Sequence, residues 1–73
     1  MFGIKKMNNL KKAQDPNTSN KTLEKLSNDE DWNVRYYVAS NPNTSLEVLN
    51  KLRKDSDKDV AEVAYKNYNS CLE

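Results

Sequence analysis

Apolar residues in this chain fall in short clusters spaced three or four apart. Leu23 with Leu26, and Leu46 with Leu49 and Leu52, follow that spacing, which puts each set on one face of a helix. Val34, Tyr37 and Val38 do the same, as do Val60, Val63, Ala64 and Tyr68. Ahead of them Ile4, Met7, Leu10 and either Ala13 or Gln14 form a stripe with the lysines outside it, predicting a helix over 3–14. No stretch alternates with the period of two that a half-buried strand needs, and a single glycine, Gly3, is present to make a turn. The expected fold class is all-α.

The clusters also repeat. Shifted by 26 positions, Ala13-Gln14-Asp15-Pro16-Asn17-Thr18-Ser19 lies over Ala39-Ser40-Asn41-Pro42-Asn43-Thr44-Ser45. Leu23, Lys25 and Leu26 then fall on Leu49, Lys51 and Leu52, Asp29 and Asp31 on Asp55 and Asp57, and Val34 on Val60. The matches concentrate at proline, cap and apolar positions, and internal similarity of this period is the mark of stacked helix pairs. The predicted organisation is one domain over 1–73: a capping helix at 3–14, repeats at 15–40 and 41–66, and a tail at 67–73. Together these make a short α-solenoid of two tandem helix-pair units with capping helices at both ends.

Local signals set the helix boundaries. Pro16 and Pro42 end the preceding helices, because proline disfavours helical geometry in the residue before it. Thr18 and Thr44 are the expected N-caps of the next helices, and Glu47, three residues beyond Thr44, would complete a capping box. Lys21 stands at that place in the first unit, so its start should be weaker. Asp31 and Asp57 are expected to cap the second helix of each unit.

The motif Asn41-Pro42-Asn43-Thr44 beside Asp29-x-Asp31-x-x-Val34-Arg35-x-x-Val38 resembles the leucine-rich repeat variant family, with Leu49, Leu52, Asp55, Asp57 and Val60 carrying the second copy. The likeness covers about residues 13–64. It implies short helices, some mixed with 3₁₀ turns, wound into a right-handed superhelix, and little about activity. Some relatives hold an iron–sulfur cluster with four cysteines ahead of the repeats; one cysteine here cannot do so. The chain departs from the pattern at Ala61, where an arginine is missing, and at Ser19 and Ser45, where proline is common.

Composition suits a stack better than a globule with one central core. Hydrophobic residues are 36% and charged residues 32%, with a mean hydropathy of −1.05; layers that touch only their neighbours tolerate this. A chain of 73 residues buries only about 60% of its unfolded surface, so the stability margin is thin. The net charge of +1 is spread in blocks, with Lys5, Lys6, Lys11 and Lys12 and no acid in 1–14 and alternating sign thereafter. Pairing between adjacent layers is the simplest use of that alternation. Cys71 has no partner for an internal disulfide. No signal peptide or membrane-length apolar run is visible, so the Asn-x-Thr/Ser sequons carry no weight, and a cytoplasmic protein with a free thiol is expected.

Few residues offer chemistry. Asp55-Ser56-Asp57-Lys58-Asp59 opens like a calcium loop, but Val60 and Lys66 stand where such a loop needs glycine and glutamate, and helix capping explains the acids better. The chain has no histidine and no glycine-rich phosphate loop, so neither an enzyme nor a bound cofactor or metal is expected. Arg35 is expected to bridge to an aspartate, Asp31 in its own unit or Asp55 or Asp57 in the next. Its loss should lower the thermal midpoint where loss of an exposed Arg53 should not. Tyr37 reads as core, whereas Trp32 and Tyr36 are harder to bury and are the candidate partner-binding residues. The leading functional reading is a protein–protein interaction module, with self-association as a corollary because about three repeats are usual for stability. The alternative is phosphate-backbone binding through Lys5, Lys6, Lys11 and Lys12, disfavoured by the near-neutral charge. No membrane partner is expected.

Overall fold

The computed structural model describes residues 2–72, with side chains from Met7 to Leu72. It contains α1 (Phe2–Gln14), α2 (Asn20–Leu26), α3 (Trp32–Ser40), α4 (Leu46–Leu52) and α5 (Lys58–Leu72). All five are α-helices, and the described residues include no 3₁₀ segment and no strand. The side chains of Ile4, Lys5 and Lys6 lie outside what is described.

Helices α2 and α4 have seven residues each, too few to persist alone in water. What holds them is burial: Leu23 and Leu26 from α2, and Val48, Leu49 and Leu52 from α4, turn inward. Helices α1, α3 and α5 form a row in which α3 packs against both neighbours, and α2 and α4 each pack between two consecutive members of that row. The result is a slab 41 × 25 × 14 Å. Its core joins Leu23, Leu26, Val34, Val38, Leu52 and Val60 with the small residues Ala13, Ala39 and Ala64, whose side chains let the row of helices approach closely. Both members of Leu23/Leu49, Leu26/Leu52 and Val34/Val60 are buried.

Polar contacts recur at the same offset of 26. Thr18 Oγ1 donates to the Lys12 carbonyl at 2.6 Å and Thr44 Oγ1 to the Val38 carbonyl at 2.7 Å. The backbone N–H of Asn17 meets Asp15 Oδ1, as that of Asn43 meets Asn41 Oδ1. Asn41 Nδ2 reaches the carbonyls of Ala13 and Asp15, and Asn67 Nδ2 reaches those of Ala39 and Asn41. Helix α5 continues where α3 stops because Tyr68 occupies the position that Pro42 holds after α3. Residues 67–72, expected as a tail, are therefore helical.

The caps differ from expectation by one residue. Ser19 and Ser45, not Thr18 and Thr44, are the N-caps, with extended backbones and side chains that accept from Thr22 N–H and Val48 N–H. Each threonine hydroxyl instead donates back to a carbonyl of the preceding helix, tying the loop to that helix while the neighbouring serine caps the next one. Glu47 is thus an acid in the first turn and not part of a capping box. Ser45→Ala should cost about 1 kcal/mol in urea unfolding and Glu47→Ala under about half of that; equal losses would restore the threonine box. Asp31 and Asp57 do occupy cap positions, accepting from the N–H groups of Asn33, and of Asp59 and Val60.

Candidate functional site

Trp32 is the first residue of α3, placed there by the Asp31 cap, and stays 43% exposed. One turn later on the same face comes Tyr36, with Tyr37 beside it. The rings form an edge-to-face series: Trp32 and Tyr36 have centroids 6.3 Å apart at 79°, and Tyr36 and Tyr37 5.6 Å apart at 83°. Such perpendicular pairs are attractive through their quadrupoles, and each leaves one ring face turned across the edge of the next. Tyr36 and Tyr37 also pack against the core, which fixes them, whereas Trp32 projects.

Helix α5 supplies the opposite wall. Asp59 and Glu62 from its first turns, with Val63, face Trp32, Asn33, Tyr36 and Tyr37 across an open groove of about 330 Å³. Among the described residues neither lysine nor arginine lines it. Six of the seven wall residues pair at the 26-residue offset, Asn33 with Asp59, Tyr36 with Glu62 and Tyr37 with Val63, and Trp32 stands outside those pairs. The packing of α3 against α5 therefore brings an aromatic turn alongside an acidic one. The sequence pointed to Trp32 and Tyr36 here, placed Tyr37 in the core alone, weighed Asp59 only as part of a calcium-like run, and missed Glu62.

Of the three aspartates considered for Arg35, the structure selects Asp55. Nε meets Oδ2 at 2.8 Å and Nη2 meets Oδ1 at 3.2 Å, a two-pronged contact, while Nη1 donates to the Asp29 carbonyl at 2.7 Å. The side chains are 16% and 8% exposed. The Asp55 hydrogen bond, and after it the fields of Asp55, Asp57 and Asp29, hold the guanidinium pKa above its ordinary value against the opposing effect of burial. Asp55 Oδ1 also accepts from Asp57 N–H. These aspartates are thus turned onto backbone and guanidinium, in helix-start geometry and not around a cation. Asn9, 26 residues before Arg35, makes the matching contact to Asp29 Oδ2 at 3.2 Å.

Elsewhere, Lys11 and Lys12 are exposed in the last turn of α1, where positive charge complements the helix dipole. Arg53, expected to be exposed, is half-buried at the end of α4 with its guanidinium 4.7 Å from the Tyr68 ring centre and 5.8 Å from that of Tyr65. Its loss should cost roughly 0.5–1 kcal/mol, so it is not the neutral control the sequence suggested. Cys71 is exposed near the end of α5. Among the described residues no helix is long and apolar enough to cross a membrane. Comparison with protein-family models, curated proteins and solved structures finds no match to this chain.

Proposed function

We propose that this chain is a non-enzymatic protein-interaction module of leucine-rich repeat variant type, acting in the cytoplasm. In this reading, units at 15–40 and 41–66 stack in a right-handed α-solenoid with α1 as the leading cap. The recurrence of the asparagine and threonine contacts every 26 residues supports the repeat architecture, because equivalent side chains then solve the same problem in successive layers.

The observation that carries the functional reading is the α3–α5 groove. A fixed pair of tyrosines and a projecting tryptophan give large contact area at low entropic cost, which is the composition of interaction hot spots. The test is cross-linking from the groove in the native host, comparing the unaltered chain with Trp32→Ala and Tyr36→Ala. A captured protein should be lost with either variant and kept with Lys21→Ala on exposed α2. Identical captured sets from all the forms would overturn the reading. So would a salt-dependent gel shift abolished by replacing Lys5, Lys6, Lys11 and Lys12, which would establish the phosphate-binding alternative.

A further inference from the structure

The groove's charge and ring geometry specify more than a generic contact. One wall carries Trp32, Tyr36 and Tyr37, whose successive rings stand nearly perpendicular. The other carries Asp59 and Glu62, with no basic residue lining the space between. An aromatic face attracts a cation through its quadrupole, and a carboxylate at the same rim supplies charge and hydrogen-bond acceptors. A neutral apolar side chain would leave both acids unused, and an anion would be repelled by them. Of the two basic side chains, arginine alone combines a flat face that stacks on indole or phenol with a fork of donors that matches a carboxylate.

Resting on the interaction-module reading, we propose that this groove receives an arginine side chain from an extended basic segment of a partner protein. The guanidinium stacks on the exposed Trp32 ring and donates to Glu62 and Asp59, while the aliphatic stem lies along Tyr36 and Val63. Lys66 Nζ lies 3.2 Å from Glu62 Oε1 in a largely exposed pair, a contact that the entering guanidinium displaces. The groove, about 330 Å³ in volume, has room for a long side chain projecting from a short motif.

Trp32 is the one tryptophan of the chain, so its emission reports from the groove alone. The experiment titrates the full chain with an acetylated, amidated octapeptide alternating arginine and serine, and with matched lysine and glutamate peptides. The arginine peptide is expected to give a saturable change in Trp32 emission, with an affinity at least threefold above the lysine peptide and no saturation with the glutamate peptide. Asp59→Asn combined with Glu62→Gln, both at exposed positions, should weaken arginine-peptide binding tenfold or more while leaving the far-UV spectrum unchanged. Raising salt should weaken it several-fold, as expected for exposed charges.

Binding that is indifferent to the double variant, or equal for arginine and glutamate peptides, overturns the proposal. A change of Trp32 emission with protein concentration alone, accompanied by a dimer mass in light scattering, also overturns it, because a second copy would then fill the groove. If the peptide arms fail while Trp32→Ala still abolishes capture of a host protein, the groove binds a partner of other chemistry and only this inference falls. If both fail, the interaction-module reading falls with it.

Discussion

Arg35→Ala is expected to lower the thermal midpoint by roughly 10–20 °C, where Lys66→Ala moves it by less than about 4 °C. The two arginine and lysine pairs look alike on paper and differ in where they sit. Lys66 and Glu62 are 72% and 68% exposed, so water and salt already satisfy them and their pairing contributes under about 1 kcal/mol. Arg35 and Asp55 are 16% and 8% exposed, and truncating the arginine strands a nearly buried carboxylate. Breaking a buried pair costs about 3–5 kcal/mol; the residual exposure here brings the expected loss to about 2–3 kcal/mol. The Asp29 carbonyl also loses its guanidinium donor. Because the guanidinium pKa is raised, the arginine's share of this stability is complete at every pH below its ordinary value and fades only in strong alkali. A partial rescue separates charge from packing: adding Asp55→Asn to Arg35→Ala removes the stranded charge yet keeps an acceptor for Asp57 N–H. The pair should therefore be less damaged than the two single losses added together. Additive losses, or equal midpoints for Arg35→Ala and Lys66→Ala, would refute the bridge.

The helices and most of their inward positions were legible because periodicity is a property of each segment alone; Met7 and Leu46, expected on the apolar faces, are exposed, and Val48 is buried in α4 in place of Leu46. Leu23, Leu49, Val34 and Val60 were readable from spacing three or four apart before any packing was known, and all four are buried. Cap identity was not, because Thr18-Ser19 and Thr44-Ser45 each offer two adjacent hydroxyls that can cap. The choice is made by a carbonyl six residues upstream, which claims the threonine. The choice of Asp55 by Arg35 is likewise settled by packing, since Asp31, Asp55 and Asp57 were all within plausible reach. The groove was hidden for a different reason. A 26-residue shift draws the eye to positions that agree, whereas the groove walls are positions that disagree: Tyr36 against Glu62, Asn33 against Asp59. Equivalent positions in neighbouring helices lie side by side, so a mismatch between them is a chemical contrast across one surface. Arg53 was misjudged because nothing local in the sequence brings Tyr65 and Tyr68 to it from α5.

Asn41→Asp is expected to be the most damaging single-atom exchange in the chain, costing about 3–5 kcal/mol at neutral pH. Asn41 is 2% exposed. Its Nδ2 donates to the carbonyls of Ala13 at 2.8 Å and Asp15 at 2.9 Å, and its Oδ1 accepts from Asn43 N–H at 2.8 Å. An aspartate keeps the acceptor but places a second oxygen against two carbonyl oxygens, so three lone-pair-bearing groups converge without a proton. Asn41→Ala should cost less, about 2–3 kcal/mol, because it leaves the carbonyls unpaired without adding a buried charge. Against a total stability of roughly 4–11 kcal/mol for a chain of this length, the aspartate variant should lose a large fraction of its stability. Its defect should also depend on pH with a definite sign. Burial beside carbonyls raises the folded-state pKa of the new carboxyl above its unfolded value of about 3.9, so the folded form binds the proton more tightly and stability falls as pH rises between the two values. Acidification towards pH 4 should recover part of the loss, since a protonated carboxyl can donate one of the two missing bonds. Position 15 supplies the contrast. Asp15 is exposed, and its carboxylate accepts from Asn17 N–H, so Asp15→Asn should change stability by under about 0.5 kcal/mol. The order of damage, Asn41→Asp above Asn41→Ala above Asp15→Asn, follows from which side of a helix end each side chain faces. Urea unfolding that ranks the aspartate variant at or below the alanine one at pH 7 would mean that Asn41 does not tie α3 to the end of α1.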